Sequence, residues 1–149
     1  MERSLILLKP DAVQRNLLGE ILHRFERKGL KVIGLKMLRL DDALLDEHYA
    51  HHKDKDFFLD LKRFMKSAPV AAIVLEGMNA ITSIRLIVGP TKGHEADAGT
   101  IRGDFSLSGS ANLVHASDSP ETAEQEIRRF FVPDELFEYD KVDSGYIVG

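Results

Sequence analysis

Several features are absent from this chain of 149 residues, and each absence excludes a class of function. There is no cysteine, which excludes disulfides, thiolate metal sites and a cysteine nucleophile. The net charge is only -4, so nothing in the overall charge favours nucleic acid or an acidic membrane as a partner. No stretch approaches the roughly 20 apolar residues that cross a bilayer. Neither a P-loop nor a G-x-G-x-x-G motif occurs, so any affinity for phosphates must come from a local cluster of Lys and Arg.

The composition that remains is that of an ordinary folded protein, with 44% hydrophobic and 30% charged residues. A chain of this length is expected to form a single domain, 1–149, that buries about 70% of its unfolded surface. The first apolar run, Leu5–Leu8, is too short for a signal-peptide core and ends at Lys9 and Pro10. We therefore expect a soluble, cytoplasmic protein without a membrane segment.

Buried strands alternate with amphipathic helices along the chain. The pattern predicts strands at 5–8, 32–40, 70–75 and 112–116, and helices around 17–25, 41–48, 58–65, 80–88 and 120–131. This alternation favours an α/β or split βαβ architecture in which helices cover a four-stranded sheet. Residues 89–111 hold five glycines and little apolar periodicity, which predicts a long functional loop that carries Thr91 and Arg102.

A histidine at the end of the last predicted strand is the first candidate for chemistry. His115 is followed by Ser119 and Pro120, a strong N-cap and first-turn signal for the next helix. The start of that helix offers free N–H groups and partial positive charge. His115 could therefore act as a metal ligand, a base or a nucleophile, or it could be a packed side chain. Its position alone does not distinguish among these roles.

Two other interpretations of the histidines are open. His48, His51 and His52 have a spacing that can bind zinc, but the crowding of lysines nearby favours a solvated helix surface. Ser117 and Asp118 adjoin His115, yet there is no G-x-S-x-G elbow, and sequence neighbours rarely form a catalytic triad.

Cations near the strand ends suggest a site for polyphosphate. Guanidinium groups match phosphate oxygens, and a lysine adds a movable charge. Taken singly, Arg85 is interpreted as a surface residue and Arg102 as a partner of Asp104. Together the candidates form a set around His115: Lys9, Arg85, Thr91, Arg102 and Asn112.

In such a set, a neutral imidazole can carry a phosphoryl group, provided that a partner orients its second nitrogen. Glu126, on the following helix, is either that partner or an exposed carboxylate.

Four segments resemble the signature segments of the nucleoside diphosphate kinase family: LLKPDAVQR, HYAHHKDKDFF, GTIRGDF and NLVHASDSPE. The resemblance runs from Glu2 to about Tyr139. It implies a ferredoxin-like βαββαβ fold, with a four-stranded antiparallel sheet covered by helices. It also implies ping-pong transfer of the γ-phosphate from nucleoside triphosphates to nucleoside diphosphates. Rival functions are a histidine-dependent nucleotide phosphohydrolase and a catalytically silent nucleotide-binding protein of the same fold.

The same resemblance implies roles for individual residues. His115 would be the phosphorylated nucleophile, with Glu126 on its other ring nitrogen and Ser117 in support. Phosphates and ribose would be held by the cationic set, Phe57 would stack on the base, and Tyr49 would support Lys9 and the transferring phosphate. Mg²⁺ would bridge the nucleotide phosphates without a dedicated protein site, and Asp118 would orient water around it.

The chain departs from the family pattern in one region. Gly93 and Ala98 stand where proline is usual, and Gly109 stands where an apolar side chain is expected opposite Phe57. Prolines at 93 and 98 would therefore be expected to stiffen the loop and stabilise the oligomer. The tail, 140–149, diverges as well. A homo-oligomer, a hexamer or a tetramer built from dimers, is expected.

Overall fold

The structure, a computed structural model that describes residues 1–149, is built on a four-stranded antiparallel sheet in the order β2-β3-β1-β4. The strands are β1 (Glu2–Leu8), β2 (Lys31–Leu38), β3 (Val70–Gly77) and β4 (Val114–Ala116). The helices are α1 (Pro10–Gln14), α2 (Leu18–Lys28), α3 (Asp42–His48), α4 (Phe58–Met65), α5 (Ala80–Val88), α6 (Ile101–Phe105), α7 (Pro120–Phe130) and α8 (Ser144–Val148). This order and pairing confirm the ferredoxin-like fold. None of these helices has both the length and the apolar character needed to cross a bilayer.

Each face of the sheet contributes to its own core. Successive side chains of a strand point to opposite faces, so Ile6 and Leu8 pack with α2 and α5 on one face. Leu5 and Leu7 pack with α3, α4 and α7 on the other. The central strands β1 and β3 are buried along most of their length.

The register of β4 decides where His115 lies. His115 is the β4 residue opposite Leu7 of β1, so its side chain lies on the face that α3 and α7 cover. Its neighbours Val114 and Ala116 belong to the core of the other face. The histidine therefore emerges beside α7, the helix that it precedes in sequence.

The prediction of a structureless segment at 89–111 is wrong in part. A 3₁₀ helix occupies Gly93–Glu95 and α6 follows. Thr100 caps α6 by accepting a hydrogen bond from Gly103 N at 2.9 Å, and Asp104 forms an ion pair with Arg24 at 2.7 Å. A five-residue helix held by a cap and an ion pair shows no apolar periodicity.

Gly93 does not suit proline, so the expectation for this position is wrong. The residue is buried, and a Cβ there would lie 2.3 Å from Ser106 O. Its N–H donates to Ser108 O at 3.2 Å, a bond that proline cannot make. The glycine is required by this close approach of two backbone segments.

Candidate active site

A cavity of about 770 Å³ opens beside His115. It is lined by nearly all of the site residues that the sequence predicts: Lys9, Tyr49, Phe57, Arg85, Thr91, Arg102, Asn112, His115, Asp118 and Glu126. Ser117 is fully buried behind this lining. Residues from almost every part of the chain thus meet in one place.

His115 directs one ring nitrogen into the protein and the other towards the cavity. Its Nε2 lies 2.9 Å from Glu126 Oε2, although the N–H does not point straight at that oxygen. The side chain of His115 is 22% exposed and that of Glu126 is 7% exposed. Since Nε2 is buried against the carboxylate, Nδ1 is the nitrogen that a substrate can reach.

Glu126 is held on its other side by Ser117, whose hydroxyl donates to Oε1 at 2.6 Å. The same hydroxyl accepts from Leu5 N at 3.0 Å, which anchors the pair to β1. Burial alone would raise the pKa of Glu126, but the contacts with His115 and Ser117 outweigh it and lower that pKa. The carboxylate is therefore ionised at neutral pH. Because Ser117 donates to Glu126 rather than to His115, the interpretation as a catalytic triad has no geometric support.

Helix α7 presents Glu126 on its buried stripe. Ser119 caps the helix by accepting from Thr122 N at 3.1 Å, as the sequence predicts. Its buried residues are Ala123, Glu126, Ile127 and Phe130, which have the spacing of one helical face. A carboxylate on an otherwise apolar stripe is the signal that distinguishes Glu126 from an exposed side chain.

His48 belongs to the site, contrary to the prediction that it lies on a solvated surface. It is buried, and its ring meets the ring of His115 edge-on with centroids 4.8 Å apart. Its Nδ1 lies 2.9 Å from Arg129 Nη1. Because a guanidinium only donates, Nδ1 accepts and the proton of a neutral His48 resides on Nε2. Burial, followed by the charges of His115 and Arg129, lowers the pKa of His48 to about 3, so it stays neutral.

The alternative of a zinc site at His48, His51 and His52 is not supported, because His48 groups with other residues. His48 lies near His115 and Glu126, with one possible ligand atom from each within 4.8 Å of the others. The Arg129 guanidinium, which already donates to His48, opposes a cation there. His51 is exposed and stands apart from this group.

The cationic groups are fixed by residues of the loop and of β4. Lys9 Nζ donates to Asn112 Oδ1 at 2.7 Å. The amide of Asn112 in turn donates to Thr91 O and Gly109 O, each at 3.0 Å. Burial, followed by the Arg102 charge, lowers the pKa of Lys9 to about 8. A phosphate entering the cavity would offset this loss of hydration and favour the charged amine.

Arg102 is buried and donates to three backbone carbonyls: Asn112 O, Gly89 O and Val114 O. Burial, followed by the charge of Arg85, lowers its pKa to about 10, so it remains a cation at neutral pH. The interpretation of Arg102 as a partner of Asp104 is not supported, since Asp104 pairs with Arg24. Arg85 is exposed and donates to Ala116 O at 3.3 Å.

The opposite end of the cavity is more open. Phe57 is 47% exposed there, and Gly109 is exposed as well. Tyr49 lies between the two ends, buried against the ring of His48 at 4.7 Å. Burial, followed by the nearby charge of Glu126, raises the pKa of Tyr49 to about 12, so its hydroxyl stays protonated.

Comparisons with known proteins identify the relatives of this chain. Residues 2–136 match the family model described as nucleoside diphosphate kinase. A nucleoside diphosphate kinase of Staphylothermus marinus is 56% identical over 138 residues, 93% of this chain and 98% of that protein. One from Parabacteroides distasonis is 54% identical and covers 94% of this chain and 92% of its own. The structure of a halophilic nucleoside diphosphate kinase from Halobacterium salinarum in complex with CDP superposes with a TM-score of 0.97. It is 44% identical and covers 99% of both chains.

Proposed function

Because this chain belongs to the nucleoside diphosphate kinase family, we propose that it transfers the γ-phosphate of a nucleoside triphosphate to a nucleoside diphosphate through His115. The observation that carries the proposal is the pairing of His115 Nε2 with Glu126, which leaves Nδ1 facing a cavity lined by three cations. The CDP complex of the relative from Halobacterium salinarum supports a nucleotide as the occupant of that cavity.

In the first half-reaction, His115 Nδ1 attacks the γ-phosphorus and the bond to the bridging β,γ oxygen breaks. The nucleoside diphosphate leaves with that oxygen, and the phosphoryl group stays on the ring nitrogen. Positive charge that develops on the imidazole is balanced by the ionised Glu126 at Nε2. The second half-reaction is the reverse, with a different diphosphate as acceptor. One site used alternately by donor and acceptor gives ping-pong kinetics.

Lys9, Arg85 and Arg102 would hold the phosphates, with Thr91 alongside them. The charge on the transferring group is spread over its equatorial oxygens, so catalysis depends on positioned cations rather than on proton transfer. Asn112, which orients Lys9, would reach the ribose hydroxyls. Phe57 would stack on the base, and Tyr49 would support Lys9 and the moving phosphate.

The donors present fit Mg²⁺ that arrives with the nucleotide. Asp118, exposed at the cavity wall near His115, would contact such an ion through water. When bound, the ion neutralises charge on the β- and γ-phosphates.

Incubation with γ-labelled ATP and Mg²⁺ tests the proposal. We expect acid-labile, base-stable label on His115, and its transfer to an added nucleoside diphosphate of a different base. Label on Ser117 or Ser119 would contradict the assignment of the nucleophile. Release of the label to water instead of the acceptor would favour the phosphohydrolase, and absence of label would favour the silent binding protein. The matched control is His115→Ala, which should bind nucleotide but take up no label.

We also propose that the chain forms a homo-oligomer built from dimers. The edge strand β2 exposes two large apolar side chains, Leu35 at 56% and Met37 at 58%. Unpaired edges of this kind are templates for pairing with another chain. Light scattering at increasing protein concentration would distinguish a hexamer, a tetramer and a monomer.

A further inference from the structure

A strained turn lies two residues before His115. Leu113 has φ of 75°, and Val114 N donates to Asn112 O at 2.8 Å across it. A three-residue turn with this sign of φ is rare, and it is strained for a residue other than glycine. Leu113 is also fully buried in the core. Such a conformation persists only where its surroundings impose it.

Both backbone polar groups of Leu113 are engaged by the segment that follows β1. Leu113 O accepts from Lys9 N at 2.8 Å. Leu113 N donates to Asp11 Oδ2 at 3.0 Å, across 102 residues of sequence. The carbonyls on either side, of Asn112 and Val114, accept from Arg102. The strained residue is thus held by one carboxylate, one amide and one guanidinium.

The turn joins two groups that face the same substrate. On one side is Asn112, whose side chain contacts Lys9 Nζ. On the other is β4, which carries His115. If Leu113 relaxed to a negative φ, the chain direction between Asn112 and His115 would change. The two side chains could then no longer contact the same bound nucleotide in their present orientation. A misplacement of about 1 Å at such a site can cost roughly a hundredfold in rate.

We propose that Asp11 is a positioning residue for phosphoryl transfer: its carboxylate holds Leu113 N–H, and this sets the turn that aims Asn112 and His115 at one substrate. The inference rests on the proposed function, since it concerns the same site. Asp11 has a second effect, because its negative charge favours the protonated forms of Lys9 and Arg102. The experiment must separate the hydrogen bond from the charge.

Two substitutions make that separation. Asp11→Asn keeps an oxygen that accepts from Leu113 N but removes the charge, whereas Asp11→Ala removes both. The measured quantity is the single-turnover rate of His115 phosphorylation at saturating ATP, together with ATP affinity and thermal unfolding. We expect Asp11→Ala to slow phosphorylation about ten- to a hundredfold, with ATP affinity changed less than about threefold, since the misplacement acts mainly on the transfer step. Asp11→Asn should stay within about fivefold of the parent rate, because the oxygen that accepts from Leu113 N remains.

The matched control is Asp41→Ala. Asp41 also accepts from a backbone N–H, that of Leu44 at 2.8 Å, but it caps α3 away from the cavity lining. This variant should lose stability without a change in the phosphorylation rate.

The possible outcomes are distinct. Equal, slow rates for both Asp11 variants would overturn the proposal in favour of a charge effect. Parent-like rates for Asp11→Ala, with lowered stability alone, would overturn it in favour of a purely structural role. A parent protein that takes up no label on His115 would instead refute the proposed function, whatever the variants do.

Discussion

The two ends of the cavity are built differently. At the inner end, His115, Glu126 and Arg102 are held by polar contacts with other side chains or with backbone carbonyls. At the outer end, Phe57 and Gly109 are exposed, and the phenyl ring has no hydrogen-bonding group. The inner end therefore determines geometry, whereas the outer end offers an open apolar surface.

This difference matches the two parts of a nucleotide. Every nucleoside triphosphate presents the same phosphates, so a largely buried inner end with fixed side chains serves all of them. A phenyl ring stacks on any base because every base has an aromatic face. We therefore expect weak discrimination among bases, with catalysis controlled at the phosphate end.

The largest effect is expected at the inner end. Arg102→Ala should lower kcat/KM for every nucleotide by a similar factor, because phosphates are common to all. Loss of a charge-assisted hydrogen bond costs roughly 1.5–3 kcal/mol, or about ten- to a hundredfold. Steady-state kinetics with several bases would measure it.

A matched control for this change is Arg3→Ala. Arg3 also makes a side-chain hydrogen bond, to Glu76 Oε2 at 2.9 Å, but it does not line the cavity. It should leave kcat/KM within a few-fold of the parent. If Arg102→Ala lowered kcat/KM strongly for nucleotides of one base only, Arg102 would contact the base rather than the phosphates. The two ends of the cavity would then not differ in the way described above.

A smaller effect is expected at the outer end. Phe57→Ala removes a half-exposed stacking surface, which should cost about 1 kcal/mol of binding, the low end of the range for base stacking. KM for diphosphates should rise roughly fivefold with kcat little changed, since the ring touches the base equally in ground and transition states. Phe137→Ala, a similarly exposed ring outside the cavity, serves as the control. A large fall in kcat would mean that the outer end also positions the phosphates.

Much of the inner end could be predicted because its residues bear recognisable local signals. The N-cap at Ser119 and the cations near strand ends have the positions in the fold that their local patterns predict. The strand that carries His115 is present as well, although it begins at Val114. The burial of His48 could not be predicted, because the lysines that follow His51 and His52 favour a solvated surface for this stretch. Only the packing of α3 against α7 decides that His48 turns inward.

The strained turn could not be predicted at all. The amino-acid sequence around Leu113 does not indicate a positive φ, since the residue is neither glycine nor asparagine. The conformation is imposed by Asp11 and Lys9, which lie 102 and 104 residues earlier in the chain. Local sequence patterns carry no information on such contacts until the fold has brought the segments together.

The smallest effect is expected from a substitution that adds a side chain at the outer end of the cavity instead of removing one. Gly109 lines the cavity, its φ lies outside the left-handed region, and the nearest atom to an added Cβ would be Lys92 Cγ at an ordinary 3.5 Å. The position therefore accepts a Cβ, and valine would add an apolar wall for the base, worth roughly 0.5–1 kcal/mol by the area it buries. We expect Gly109→Val to lower KM for diphosphates roughly two- to fivefold with kcat unchanged, because the added contact stabilises ground and transition states equally. Gly145→Val, at an unobstructed position in α8 away from the cavity, controls for stiffening of the backbone alone. A KM that stays level or rises in Gly109→Val would mean that the base does not lie against this part of the loop, and that Phe57 alone forms the outer end.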